Sequence, residues 1–322
     1  MKNRLNLFQF CSGLAIASCL HLSFFTPSLQ AGDPFRQQNP QAIGDHTEAA
    51  FKAIFIGGDY PQGQQYLQQA QQTEADDPLV YAMIASMAYI DQDWEQLGEY
   101  ATQTREVAKA LMEENPLRGN LYIAVGHFME GGYALAKDGP VRGAPQALNQ
   151  LQEVLKFIKE AERIRGDDPE LNLIKGYMDL MLAVNLPFAD PQQAIARLEN
   201  LARPQYLAYR GIAMAYRDLG DYPNALEYVN LALTATPNHP EVHYLKAQIL
   251  KELEQWQAAQ GFFNRALSRP QMLPKYLVAQ IFFESCQNQR KIDQKPRNCD
   301  ALRDPIKEGN QIWGPERLPS LD

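Results

Sequence analysis

YLAYRGIAMAYRDLGDYPNALEYVNLALTATPNH (206–239) runs without a gap into PEVHYLKAQILKELEQWQAAQGFFNRALSRPQML (240–273). Both stretches are 34 residues long and share an internal spacing. Counting each first residue as position 1, Ala213 and Ala247 stand at 8, Tyr216 and Leu250 at 11, and Tyr222 and Trp256 at 17. Ala225 and Ala259 stand at 20, and Ala232 and Ala266 at 27. Gly220 is at 15, Pro237 at 32, and Phe263 at 24 of the second stretch. Small residues at 8, 20 and 27 let two helices approach closely, and large ones at 11, 17 and 24 fill the space beside them. Gly220-Asp221-Tyr222-Pro223 ends one apolar-periodic helix and begins the next. Gly serves the C-terminal turn, Asp the cap, and Pro the first helical turn.

The same punctuation occurs upstream as Gly58-Asp59-Tyr60-Pro61. It marks a second contiguous pair, residues 44–77 and 78–111, with Tyr60 and Trp94 at position 17. Two departures stand out: Phe51 fills the small position 8 of the first unit, and Thr104 fills position 27 of the second. Between the two pairs lie stretched helix pairs. Residues 116–137 and 145–165 form one, around the insert KDGPVRGAP (137–145). Residues 169–186 and 191–202 form the other, joined by Leu186-Pro187-Phe188-Ala189-Asp190. A last helix over 274–290 would cap the array. No run of alternating β-branched residues reads as a strand.

Over residues 44–273 these units closely resemble the tetratricopeptide repeat, a helix–turn–helix unit of 34 residues. The resemblance implies an all-α fold, a right-handed superhelical solenoid of such units with a C-terminal capping helix. It also implies a concave groove lined from positions 2, 5, 9, 12 and 13 of each unit, suited to a protein or peptide partner. Carried over by position, the groove presents Arg210, Met214 and Arg217 in one unit and Tyr244, Gln248 and Lys251 in the next. His127 and Tyr177 represent the stretched middle. Arg210 and Arg217, seven apart, project from one side of a helix, as do Tyr244 and Lys251. Basic groups gathered there are expected to hold carboxylates of a partner segment. The family's clamp for chaperone tails needs Asn at position 9, where this chain has Met214 and Gln248. Binding of a small molecule or a cell-envelope polymer by the groove's aromatic residues is the alternative. The whole layout also resembles exported cyanobacterial tetratricopeptide-repeat proteins, a likeness that carries no catalytic residues.

The first 31 residues carry Lys2 and Arg4, an apolar core at 14–25, Pro27, and Ala31 as a small residue at a cleavage point. That order reads as a secretory signal peptide, leading to a periplasm or a thylakoid lumen. Ile16-Ala17-Ser18-Cys19 resembles a lipobox and keeps lipoprotein anchoring at Cys19 open, as it does an uncleaved anchor. Residues 32–43, with three Gln and two Pro, are expected as a flexible lead-in, 44–290 as the repeat domain, and 291–322 as an irregular tail. Removing residues 1–31, which hold two bases and no acid, shifts the formal charge from −8 to −10. It leaves Cys286 and Cys299, which in an oxidising compartment read as one disulfide pinning the tail, with two free thiols as the alternative. The loop between them would contribute about 3 kcal/mol by chain entropy.

A pI near 5.3 is unsuited to nucleic acid, which needs a basic stripe to displace counterions. No later stretch is apolar enough to span a membrane. His239 and His243 are four apart, but His239 sits in a turn without a third ligand, so no metal is expected. Neither a G-x-S-x-G elbow nor a phosphate loop occurs. No catalytic residue, cofactor or metal is assigned, and the chain is expected to be no enzyme.

Overall fold

In the computed structural model, which describes residues 32–185 and 191–321, the apolar stripes become fourteen α-helices. They pack consecutively as a helical solenoid. The first unit pairs α1 (Asp45–Lys52), continued by a π-helical turn (Ala53–Gly57), with α2 (Tyr60–Thr73). The second pairs α3 (Pro78–Ile90) with α4 (Trp94–Leu111), and the third α5 (Pro116–Arg142) with α6 (Ala144–Arg165). The fourth joins α7 (Pro169–Asn185) and α8 (Pro191–Leu201), the fifth α9 (Gln205–Asp218) and α10 (Tyr222–Ala235). The sixth joins α11 (Pro240–Glu252) and α12 (Trp256–Ala266), and α13 (Lys275–Asp293) and α14 (Cys299–Glu308) follow. The expected signal peptide, the lipobox-like stretch and the linker 186–190 lie outside the described residues.

The turns repeat at the level of single atoms. Asp59, Asp93 and Asp221 each cap a second helix, accepting the N–H of Gln62, Gln96 and Asn224 at 3.1, 3.0 and 3.3 Å. The residue just before each such turn is left-handed at position 15 of all four regular units. Gly58 (φ 63°), Gln92 (φ 57°), Gly220 (φ 78°) and Glu254 (φ 58°) occupy it. The backbone thus keeps the repeat's geometry even where glycine has been replaced. The alanines at positions 8, 20 and 27 of the last two units are fully buried between helices. Thr104 is equally buried, and its hydroxyl donates to the Tyr100 carbonyl at 2.7 Å, so the polar substitute is satisfied.

The insert at 137–145 does interrupt the helix: Gly139 is non-helical (φ 78°, ψ 168°), and only a short helical stretch at 140–142 follows before α6. Two expectations need correction. Residues 32–43, expected as a flexible lead-in, are packed: Phe35, Arg36 and Ile43 are all buried. Phe35 meets the Phe51 ring edge-on at 5.1 Å, which explains why Phe51 departs from the small-residue rule. The tail is not irregular throughout. Asn298 caps α14, and Ile306 is buried. The Cys286–Cys299 bond joins α14 to α13. Further on, Lys275 N–H donates to the Ile312 carbonyl and Gly314 N–H to that of Leu273.

The array also closes on itself. The Tyr60 hydroxyl, at the start of α2, donates to Glu241 of α11 at 2.5 Å. His239 Nδ1 accepts the N–H of Glu241, so Nε2 carries the proton and donates to the Ile54 carbonyl at 3.1 Å. Gly58 lies so close to Pro240 that an added Cβ would sit 2.4 Å from its ring. Burial, with Arg210 nearby, pushes the His239 imidazole down to about 4, so it is neutral at ordinary pH. Among the described residues no helix is long and apolar enough to cross a membrane.

Candidate binding site

The first helices of the units turn their inner faces toward one another and line a chamber of about 600 Å3 that is open to solvent. Each unit supplies a share. The arm and the first unit contribute Phe35, Phe51, Phe55 and Tyr60. α3 contributes Leu79, Ala82, Met83, Ser86 and Ile90, and α5 contributes Tyr122, Val125, Phe128 and Met129. α7 adds Leu173, Ile174, Tyr177, Met178, Leu180 and Met181, while α9 adds Leu207, Arg210, Gly211, Met214, Ala215 and Asp218. Glu241 of α11 completes the wall. Spacings of three and four along α5, α7 and α9 put these side chains on one face of each helix. Gly211 is needed for the close approach: a Cβ there would lie 2.9 Å from the Tyr177 ring. The ring's hydroxyl donates to the Leu207 carbonyl at 2.7 Å, tying α7 to α9.

Polar side chains in the wall are all engaged by their neighbours. Arg210 donates to Glu241 at 2.6 Å, on the oxygen not used by Tyr60. Burial pushes the Glu241 carboxyl up, but Arg210, His239 and the Tyr60 hydroxyl outweigh it and hold the group below its ordinary value. Ser86 donates to the Ala82 carbonyl at 2.8 Å, and Asp218 receives Arg217 at 2.7 Å. Tyr122, fully buried, donates to Glu170 at 2.7 Å.

Glu170 is the centre of a charged knot behind that wall. It accepts from Arg36 at 2.9 Å and Arg118 at 3.2 Å. Arg36 also grips Asp168 through two donors, at 2.8 and 2.7 Å, and Asp33 at 2.9 Å. Arg118 reaches Asp77 at 3.0 Å. All six charged side chains are buried. Burial pushes the Asp77 carboxyl up despite Arg118, while the Glu170 carboxyl, with two guanidinium partners, lies below its ordinary value against the same burial effect. Asp77 and Asp168 also cap α3 and α7, accepting the N–H of Leu79 and Leu171. The knot therefore fastens the N-terminal arm to three inward-facing helices at once.

The residues expected in the groove separate into three places. Tyr177, Arg210 and Met214 line the chamber. Tyr244, Gln248 and Lys251 do not: they converge on Glu284 of α13, at 2.5, 3.2 and 3.3 Å. Arg217 joins that group through Gln248 at 2.6 Å. Glu284 of α13 thus reaches this face of α11, where Tyr244, Gln248 and Lys251 stay half-buried. His127 is also off the chamber. It faces α6, with Nδ1 2.6 Å from Gln150 Oε1 and its ring stacked on Phe157 at 5.8 Å. Arg210, Arg217 and Lys251, expected to hold a partner's carboxylates, each hold a carboxylate of this chain. Sequence reasoning missed Phe35, Met83, Phe128 and Met129. The last three had a helical-spacing signal, whereas Phe35 lies in a segment without periodicity.

Among the described residues no group of three or more His, Cys, Asp or Glu is placed to hold a metal ion. What the arrangement offers chemically is an apolar receptacle with a polar rim already neutralised. Residues 207–249 match the family model of the tetratricopeptide repeat. Together with the all-helical architecture this supports a tetratricopeptide-repeat protein, a family whose repeats generally serve as protein–protein interaction scaffolds and are typically non-enzymatic. No curated protein matches the chain.

Proposed function

We propose that this protein is an exported, non-enzymatic binding scaffold whose binding site is the central chamber. The observation carrying this reading is the chamber's lining. Phe55, Ile90, Phe128, Met129, Ile174 and Met214, from five helical units or turns around the ring, stay only partly buried and face one space. Apolar surface left accessible on the inside of a folded ring invites an occupant, and about 600 Å3 is within the range of ligand pockets. The partner engages it through apolar groups, since the basic residues of the groove already hold carboxylates. Export is supported by Lys2, Arg4, the apolar core at 14–25 and Ala31, and by the Cys286–Cys299 bond, a linkage that persists in oxidising compartments. Periplasm and thylakoid lumen suit both features equally.

The test uses the uncharged solvatochromic dye Nile red, titrated into the protein carrying residues 32–322. One saturable site is expected. Met214→Trp and, separately, Ile174→Trp fill the chamber from two different helices, with folding checked by circular dichroism. Each should weaken the dye at least tenfold, about 1.4 kcal/mol. Unchanged dye binding in both folded variants would place the site elsewhere.

A further inference from the structure

We infer that the chamber's ligand is an uncharged hydrocarbon of about two dozen carbons, such as a single lipid or isoprenoid chain, rather than a peptide. This rests on the reading of the chamber as the binding site and adds the chemistry of what enters it. Size gives the first argument. A cavity of roughly 150 Å3 suffices for benzene, so a chamber four times larger accommodates about 24 carbons. A helical peptide is at least about 10 Å across and rises about 1.5 Å per residue, so the same space takes only about five residues. That is little more than one turn, too short to hold a helix by itself.

Hydrogen bonding gives the second argument. An extended peptide brings a donor and an acceptor with every residue, and each costs free energy if buried without a partner. The chamber offers them few partners not already engaged. Its walls are helices, whose backbone groups are consumed in their own ladders. Its polar side chains, Tyr60, Ser86, Tyr122, Tyr177, Arg210 and Glu241, each spend at least one hydrogen bond on a neighbour, and Asp218, exposed at the edge, holds Arg217. A hydrocarbon makes no such demand. Charge gives the third. Arg210 and Glu241 neutralise each other at 2.6 Å, so the wall presents no lone charge to a carboxylate or an ammonium head. Met181, nearly half exposed at the rim, marks where a head group would meet water.

The experiment uses diphenylhexatriene, a fluorescent hydrocarbon without charge or hydrogen-bonding groups, with the protein carrying residues 32–322. Stoichiometric one-to-one binding is expected, weakened at least tenfold in Met214→Trp and in Ile174→Trp. A long-chain monounsaturated alcohol should displace the probe, and the matching carboxylate should compete at least tenfold less well at pH 8. An uncharged apolar octapeptide should not compete. Peptide binding that both Trp variants abolish, without diphenylhexatriene binding, would overturn the hydrocarbon and keep the chamber as the site. Equal competition by alcohol and carboxylate would overturn the uncharged-ligand inference alone. Diphenylhexatriene binding that neither folded Trp variant weakens would overturn both readings.

Discussion

The last two regular units and the stretched middle solve the same problem by different means. In α9 to α12, fully buried alanines recur at fixed positions, and helices approach wherever the side chain is small. In the middle, α5 has 27 residues and α6 has 22, against 14 each for α9 and α10. The 34-residue register is lost there, and a buried knot of two arginines and four acids fastens α3, α5, α7 and the arm. Repetition needs no single indispensable residue, because neighbouring units carry equivalent contacts. A charged knot concentrates its effect: remove one member and its buried partners lose a counterpart that nothing nearby replaces.

The contrast breaks if both regions tolerate the loss of an arginine equally. Arg118→Ala leaves Glu170 and Asp77 short of a partner in the interior, and should cost about 3–5 kcal/mol in urea melts. Arg217→Ala removes a pair that water still reaches, and should cost at most about 1 kcal/mol. Similar midpoints for the two variants would refute the proposed division of labour.

A smaller effect concerns the closing seam. The His239 imidazole titrates at about 4 in the fold and at 6.5 when unfolded. Its folded value is depressed, so the unfolded chain takes up the proton first as the pH falls. Stability is therefore lost from about pH 6.5 downward, ending near pH 4, by about 3 kcal/mol. Acids such as Glu170 and Glu241 also lose stabilisation on acidification, having lowered values of their own. The comparison with His239→Gln isolates the histidine: the wild type should lose about 3 kcal/mol more between pH 7.5 and pH 4. Equal losses would remove the imidazole from the seam's energetics.

The smallest effect sharpens what counts as regular. Gln92 and Glu254 occupy the left-handed position that Gly58 and Gly220 fill elsewhere. Gln92→Gly and Glu254→Gly should each stabilise by about 0.5–1 kcal/mol in urea melts, because glycine adopts that backbone without a Cβ clash. Destabilisation by either would mean that the side chain itself stabilises its turn.

The regular half was legible because its information is local. Gly220, Asp221 and Pro223 act on residues within one turn, and Ala225 and Ala232 act on the helix packed beside them. Tyr177, Arg210 and Met214 could be placed on an inner face from the period alone. Other features depend on partners far along the chain. Arg36 meets Asp168 across 132 residues, and Tyr60 meets Glu241 across 181. No spacing rule announces such pairs. Lys251 and Gln248 show a related limit: position in a unit says which face a residue takes, but not that Glu284 of α13 will reach both. Phe35 gave no signal at all, since its burial depends on a ring of helices already being in place.

The contact between the first unit and the sixth changes how this molecule should fold. An open repeat array behaves as a one-dimensional chain of nearest neighbours, in which units nucleate anywhere and end units fray or can be trimmed singly. Joining Tyr60 to Glu241 ties the first unit directly to the sixth, across everything between them. Closing a loop of that span has an entropic cost of roughly 5 kcal/mol in an unfolded chain, so the seam forms late, once intervening units have ordered. Units that could otherwise melt in sequence are then held in one cooperative transition, and deleting the first unit would unsettle the sixth.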